Sequence, residues 1–539
     1  MKSTIPFLIF FLAFHFISCG SRHPGKECLT FEEMKDPTSD TLSDWSHVSK
    51  GLHASFISTD DRMPKSVAPG VSVNKSVALT GWRGEKISAQ LLLWSAEEVD
   101  PVELEFADFE SVDHTLPASV AQARFVRYVM TDEFGPGCGH RKPEDFPASL
   151  SADMLDNLPC FHMEAKTVRP VWLTFSIPSA AVAGNYKGTL TLHAGGRPVE
   201  EFGIELTVVD RVLPEPSEWL YHLDLWQHPS AVARVHNLEV WSDAHFEKMK
   251  PLMKMLADAG QKVITTSIIY RPWNGQTEDA FPSMVNWIRK LDGTWEYSFE
   301  VFDRWVEFMM GCGITEQINC YSMIPWRLTF PYFDSAENMI KELHTEPGDP
   351  AYADFWGNFL TAFARHLKEK GWFDRTTIAM DERPMKVMQE AIAVIRKADP
   401  DFKISLAGSY YPEIEQEIFD YCSGWRHPFP DDVIARRKTE GKFTTYYTCC
   451  SEPTPNTFTF SPLEEASYIG RAIAARKADG YLRWAFNSWP LEPLLDSRFR
   501  SWASGDTYLV YPGNRTSLRF EHLIDGIQAF EKQRLSGEL

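Results

Sequence analysis

Two rhythms of apolar and polar residues divide the chain. From about Gly84 to Asp210, apolar positions alternate with polar ones over short, turn-bounded stretches such as "EKISAQLLLWS", "VELEFADFES", "ARFVRYVM", "RPVWLTFSI" and "GTLTLHAGGRPVEEFGIELTVV". A period of two buries one face of a strand and leaves the other to solvent. The last stretch folds back across "AGGRP" as a hairpin. No long amphipathic helix interrupts the series, so residues 46–212 are expected to form a β-sandwich. The following "RVLPEPSEW" contains two prolines, which lack amide donors and break regular pairing, and it reads as a linker.

Beyond Trp219 short apolar strands alternate with long helical patterns. "YHLDLW" precedes "SDAHFEKMKPLMKMLADAG", "KVITTSII" precedes a loop and "FDRWVEFMMGCG", and "INCYSM" precedes "YADFWGNFLTAFARHLKEKG". "TTIAMDE", "KISLAG", "IFDYCSG", "FTTYYTCC" and "YLRWAFNSW" continue the series. This order and length predict a (β/α)₈ barrel over 213–539, with the C-terminal "SLRFEHLIDGIQAFEKQRL" packed on its outside. Two domains also suit 539 residues, since single cores stop growing near roughly 250 to 300.

Composition narrows the partners. With 44% hydrophobic and 24% charged residues the chain can bury large cores. A formal charge of −20 without a Lys/Arg-rich run repels phosphate backbones, which excludes nucleic acid as a partner. The N-terminal "MKSTIPFLIFFLAFHFISCG" places Lys2 before an apolar run too short to span a bilayer of about 20 residues, the layout of a signal peptide over 1–18. Cys19 resembles the lipid-attachment cysteine of bacterial lipoproteins, although Phe16 stands where that pattern prefers Leu. The expectation is an exported protein, lipid-anchored to a bacterial membrane, with 19–45 as a tether; a plain signal cut near Gly20 would instead leave it soluble.

The other cysteines show no CxxC pair or Cys/His cluster, so neither a metal nor a cofactor is implied. A Cys138 to Cys160 disulfide is conceivable, and the adjacent Cys449 and Cys450 read as strand-end packing.

Candidate chemistry sits at the strand ends, where (β/α)₈ barrels place their catalytic groups. Asp381 and Glu382 close the fourth predicted strand in "TTIAMDERP". Acidic residues also offset the positive end of a helix, and "DERP" precedes one. Aromatics at other strand ends favour the catalytic reading: Trp226, Tyr321, Trp326, Tyr446, Tyr447, Trp484 and Trp489, interleaved with Gln227, Arg483 and Asn487. Aromatic faces suit the C–H faces of sugars, and amide and guanidinium groups can bond their hydroxyls. A carbohydrate site is expected.

The Asp-Glu pair after a fourth strand, with "GWRGEKISAQLLLWS", "VRPVWLTFSIPSAAVAGNYKGTLTL", "WSDAHF…LADAGQKVITTSI" and "DGYLRWAFNSW", resembles glycoside hydrolase family 123 over nearly the whole mature length. The resemblance implies a β-N-acetylgalactosaminidase with an N-terminal sandwich and a catalytic barrel, and carries the acid pair onto Asp381 and Glu382. The other strand-end residues are assigned by position only. Neighbouring acids approach the anomeric carbon from one wall, whereas most glycosidases set two carboxyls on opposite sides. They suit substrate assistance, in which the sugar's 2-acetamido oxygen is the nucleophile, Asp381 orients that group and Glu382 is acid and then base. Two alternatives stand beside this reading. One is a retaining glycosidase with Glu382 as acid/base and Glu452 as covalent nucleophile; the other is a non-catalytic, surface glycan-binding lipoprotein.

Overall fold

The computed structural model describes residues 28, 31–38, 43–132, 137–139 and 142–538. The expected signal peptide and Cys19 lie outside the described residues.

Two sheets form the N-terminal domain. In the first, His53–Ile57, Lys86–Ser95, Thr167–Ser176, Ala121–Asp132 and Ala148–Asp156 lie side by side, all antiparallel. The second is built on Ser76–Arg83, Arg197–Val212, Gly184–Ala194, Val99–Phe106 and Phe161–Met163. Leu91, Leu93, Val171 and Leu173 of the first sheet meet Leu190, Phe202, Ile204 and Leu206 of the second in one core. The run "LLLW" departs from alternation because the first sheet is buried on its other face too, where Leu92, Trp94 and Trp172 pack with Trp45, Leu463 and Leu518. The described part of the expected tether also lies on this domain. Cys28 is joined to Cys160, and the Glu33 carboxylate, its side chain 4% exposed, bonds Arg127 and Arg169 and pairs with Lys65. Burial opposes its charge, but Arg169 and the other cations hold the Glu33 carboxyl well below the usual range. Three cations around one acid bind this segment to the sandwich instead of leaving it extended. The Cys138 to Cys160 pairing is thereby corrected, since Cys138 bonds Cys450 instead.

The second domain is a barrel of eight parallel strands, labelled β1 (His222–Leu225), β2 (Val263–Ser267), β3 (Gln317–Tyr321), β4 (Thr376–Met380), β5 (Lys403–Ala407), β6 (Asp420–Gly424), β7 (Phe443–Tyr447) and β8 (Gly480–Arg483). The ladder runs from β1 through β8 and back down to β2, and a bridge between Leu223 and Gln261 closes it. Between β5 and β6 the connection holds a 3₁₀ turn, Glu415–Glu417, in place of a helix. The C-terminal Leu518–Leu535 is the outer helix that follows β8. It abuts Leu463–Ala475 so closely that a Cβ on Gly470 would lie 2.5 Å from the Gly526 backbone. Ion pairs also tie this helix to the sandwich: Arg519 to Asp153 at 2.9 Å, Arg124 to Glu521 at 2.9 Å and Lys532 to Glu85 at 2.7 Å.

One feature departs from the expected alternation of strand and helix. Loops after β2 and β3 form a separate four-stranded sheet from Asn286–Arg289, Trp295–Ser298, Thr329–Asp334 and Met339–His344. Trp287 of this sheet stacks on Phe355 and Phe359 of the helix Pro350–Lys370, which fixes the insertion to the barrel wall.

Candidate active site

The barrel interior is polar where barrels more often pack branched apolar residues. At its base Asp420 accepts from Gln317 at 2.7 Å and lies 3.2 Å from His222 Nε2. Above them Asp224 accepts from Asn319 at 3.4 Å and, at 3.3 Å, from the indole of Trp226. Trp226 is the start of an aromatic floor. Its ring centroid lies 4.9 Å from Trp273 and 4.6 Å from Tyr321.

On that floor stands a chamber of about 190 Å³. Trp226, Trp273 and Trp484 supply aromatic walls, Trp502 and the Cys138–Cys450 disulfide complete the rim, and Asp381 and Glu382 line it from the end of β4. Among the described lining residues these two are the only carboxyls. A volume below the ~300 to 1,000 Å³ of pockets for drug-sized ligands suits one sugar residue, not a chain.

The two acids differ in how they are held. Asp381 Oδ1 accepts the backbone N–H of Glu382 at 2.8 Å, and Oδ2 accepts the indole N–H of Trp326 at 2.9 Å. Burial and the adjacent Glu382 charge push the Asp381 carboxyl up to about 6, against the pull of these two bonds and of Arg383. Glu382 reaches further out, where the Tyr447 hydroxyl donates to its Oε1. Burial, followed by the Glu382 charge, raises the Tyr447 phenol well above its usual range, so it remains a donor.

Of the residues named from sequence, Trp226, Trp326, Asp381, Glu382, Tyr447 and Trp484 line the chamber, and Tyr321 lies beneath it in the aromatic cluster. Five strand-end residues do not reach it. Tyr446 neighbours Tyr447 on β7 and so points to the opposite face, where its hydroxyl accepts the Phe429 N–H at 3.0 Å. Buried Arg483 donates to Asp506 at 2.7 Å and to Asn456 at 2.7 Å. Asn487 pairs both ways with the His228 backbone, and Trp489 donates to the Val510 carbonyl at 2.7 Å. Gln227 likewise bonds strand backbone, accepting from Thr265 N–H at 2.8 Å. Glu452 lines an adjoining groove beyond Tyr447, where its Oε2 accepts the Cys449 N–H at 2.9 Å.

Sequence reasoning missed Trp273, Gln276, Trp502 and the disulfide wall. Trp273 carried a signal, because "YRPWNGQ" follows the second strand as "WRL" follows the third. Sequence alone suggests packing for Cys450, but its disulfide partner lies 312 residues away in a sandwich loop, a proximity that no spacing reveals.

The model of the glycoside hydrolase 123 catalytic domain matches residues 226–536, and that of the glycoside hydrolase 123 N-terminal domain matches residues 56–194. Among solved structures, a family 123 glycoside hydrolase from Clostridium perfringens, described for glycolipid glycan hydrolysis, superposes with a TM-score of 0.84 at 26% identity, covering 91% of this chain and 89% of that one. A family 5 xyloglucanase from Bacteroides ovatus with a bound heptasaccharide reaches a TM-score of 0.30 at 10% identity, covering 84% of this chain and 98% of its own, too distant to carry an argument. No curated protein matches the chain.

Proposed function

The chain belongs to glycoside hydrolase family 123, and from that premise we propose that it releases terminal β-linked N-acetylhexosamine, N-acetylgalactosamine favoured, from a glycan by substrate assistance. The observation that carries this reading is the one-sided chemistry of the chamber. Both of its carboxyls lie on adjacent residues of one wall, and the walls around them are aromatic. A covalent nucleophile would have to face the acid across the anomeric carbon. The sugar's own 2-acetamido oxygen can fill that place.

In the first step the acetamido oxygen bonds to C1 while the glycosidic C1–O bond breaks, and Glu382 passes its proton to the departing oxygen. Asp381 accepts the acetamido N–H, fixing the group for in-line attack and offsetting the charge of the oxazolinium ring. The Trp326 indole and the Glu382 N–H hold the Asp381 carboxylate in one orientation, so little reorganisation is left for the reaction. Water then adds to C1 and gives a proton to Glu382, the ring C1–O bond breaks, and the acetamido group is restored. Two displacements at C1 retain its configuration.

Trp226, Trp273 and Trp484 would receive the C–H faces of the sugar. Export and a lipid anchor at Cys19 belong to the same reading, supported by two disulfides, which persist in oxidising compartments. The function is tested by aryl release from aryl β-glycosides of N-acetylgalactosamine, N-acetylglucosamine and galactose. Fast release from the first, slower from the second and none from the third is expected. Sugar binding without turnover would leave a glycan-binding lipoprotein.

A further inference from the structure

Away from the barrel mouth, a groove of about 890 Å³ runs along the outer wall between the four-stranded insertion and the helices Pro350–Lys370 and Met385–Ala398. None of its lining residues lines the chamber. A second hollow of about 470 Å³ shares Thr361, Arg365 and Ala398 with it, so the two form one cleft along the longer helix. This space is far larger than the chamber of about 190 Å³ that suits one sugar residue. Given a glycan-acting chain, we propose that the groove is a second, non-catalytic saccharide site, holding several linked sugars of the glycan that is trimmed at the mouth, whichever group attacks C1.

One wall of the groove is a fixed aromatic platform. Trp295 and Tyr297 are two apart on the strand Trp295–Ser298 and so share a face, with ring planes 10° from parallel. Trp295 is half-buried, and Tyr332 and Phe355 hold it edge-on with ring centroids at 5.1 and 5.2 Å. A ring already held in place loses little freedom when the C–H face of a sugar stacks on it.

The floor is kept low where packing does not require it. Ala353, Gly357 and Thr361 recur every four residues and so lie along one face of the helix, under the groove. Gly357 stands inside a helix of 21 residues, where glycine is less favourable than any residue but proline. Its torsion does not demand glycine, and a Cβ there would stand in open space. A longer side chain at this position would fill the groove.

Polar groups of both signs face the same space. Lys290, Arg365 and Lys397 are exposed and form no ion pair among the described residues, although the chain's charge of −20 supplies acids in excess. Glu296 and Asp354 line the groove beside them. Sugar hydroxyls donate to carboxylates and accept from ammonium and guanidinium groups, so a saccharide can use both signs together. An apolar partner helix would strip water from these charges and replace none of its bonds.

The test is titration calorimetry with a galactose-terminated trisaccharide that carries no 2-acetamido group, on the parent, Trp295→Ala and Gly357→Leu. The parent should bind it, and both variants should bind at least about tenfold more weakly, while kcat/KM on an aryl β-N-acetylgalactosaminide stays within about twofold of the parent's. Gly357→Leu removes no contact and replaces glycine with a strong helix former, so weaker binding with thermal unfolding no lower than the parent's reports a filled groove and not a damaged fold. No binding by the parent, or equal binding by all three, would overturn the proposal and leave the aryl activity, with the function it reports, intact. A concentration-dependent dimer that Gly357→Leu abolishes would assign the groove to a second copy of the chain and overturn it likewise.

Discussion

Carboxyl pairs occupy two levels of this barrel, and only one of them can act on a glycan. At the mouth, Asp381 and Glu382 are neighbours in sequence; in the interior, Asp224 and Asp420 come from β1 and β6. Burial raises the Asp381 carboxyl to about 6, and burial with the Asp420 charge raises Asp224 to about 7. By proton affinity alone Asp224 is more perturbed than Asp381. Yet Asp224 is bonded by Asn319 and Trp226, Asp420 by Gln317 beside His222, and neither lines the chamber. A displaced pKa reports burial. Function also requires reach into a space that a substrate can occupy.

The first way to break this comparison is to disable the mouth. Glu382→Gln should lower kcat/KM about 100- to 10,000-fold on a disaccharide and much less on an activated aryl glycoside, whose departure needs little acid. Next in size is Arg483, a strand-end residue turned away from the chamber. Arg483→Met leaves the buried Asp506 without its partner and should cost about 3–5 kcal/mol of stability, read from the denaturant midpoint.

Asp381→Asn should lower kcat/KM about 100- to 1,000-fold for good and poor leaving groups alike, because the lost charge stabilises the ring and not the leaving oxygen. The parent's kcat/KM should fall on the acid side of pH 6 as Asp381 gains its proton, and the variant should lack that limb. Stability should move the other way. A carboxyl raised in the folded state costs stability as pH climbs from its unfolded value of about 3.9 to about 6, so the variant should melt higher at neutral pH.

The smallest effect belongs to the interior. Asp224→Asn keeps an acceptor for the Trp226 indole and should lower kcat/KM less than about tenfold, or ~1.4 kcal/mol. It should also remove a loss of stability that the parent shows as pH rises from about 4 to about 7. A collapse of activity in this variant, matched to Asp381→Asn, would erase the distinction between the two levels.

The sequence made the barrel legible because strand and helix periods recur in order, and it located the acid pair because the end of a strand is a visible boundary. It did not show which way a strand end faces. Tyr446 and Tyr447 are adjacent and aromatic, and only the parity of β7 in the closed barrel puts Tyr447 beside Glu382 and Tyr446 against Phe429. Past β8 the chain leaves strand geometry, so Asn487 and Trp489 lost the register that placed Trp484. The four-stranded insertion was hidden because its central pairing joins Ile288 to Phe333, across 45 residues, although the "LDGTW" turn of its hairpin was readable.

The central claim is that the substrate's acetamido oxygen, and no residue of the chain, attacks C1. It is tested most directly by measuring kcat/KM on aryl β-N-acetylgalactosaminides whose acetyl group carries none, one, two or three fluorines. Each fluorine withdraws electron density from that oxygen while changing the group's size little. Substrate assistance predicts a steep, monotonic fall along the series, with slight turnover of the trifluoro compound. A flat series would contradict the account, because a carboxylate nucleophile such as Glu452 would not register the change.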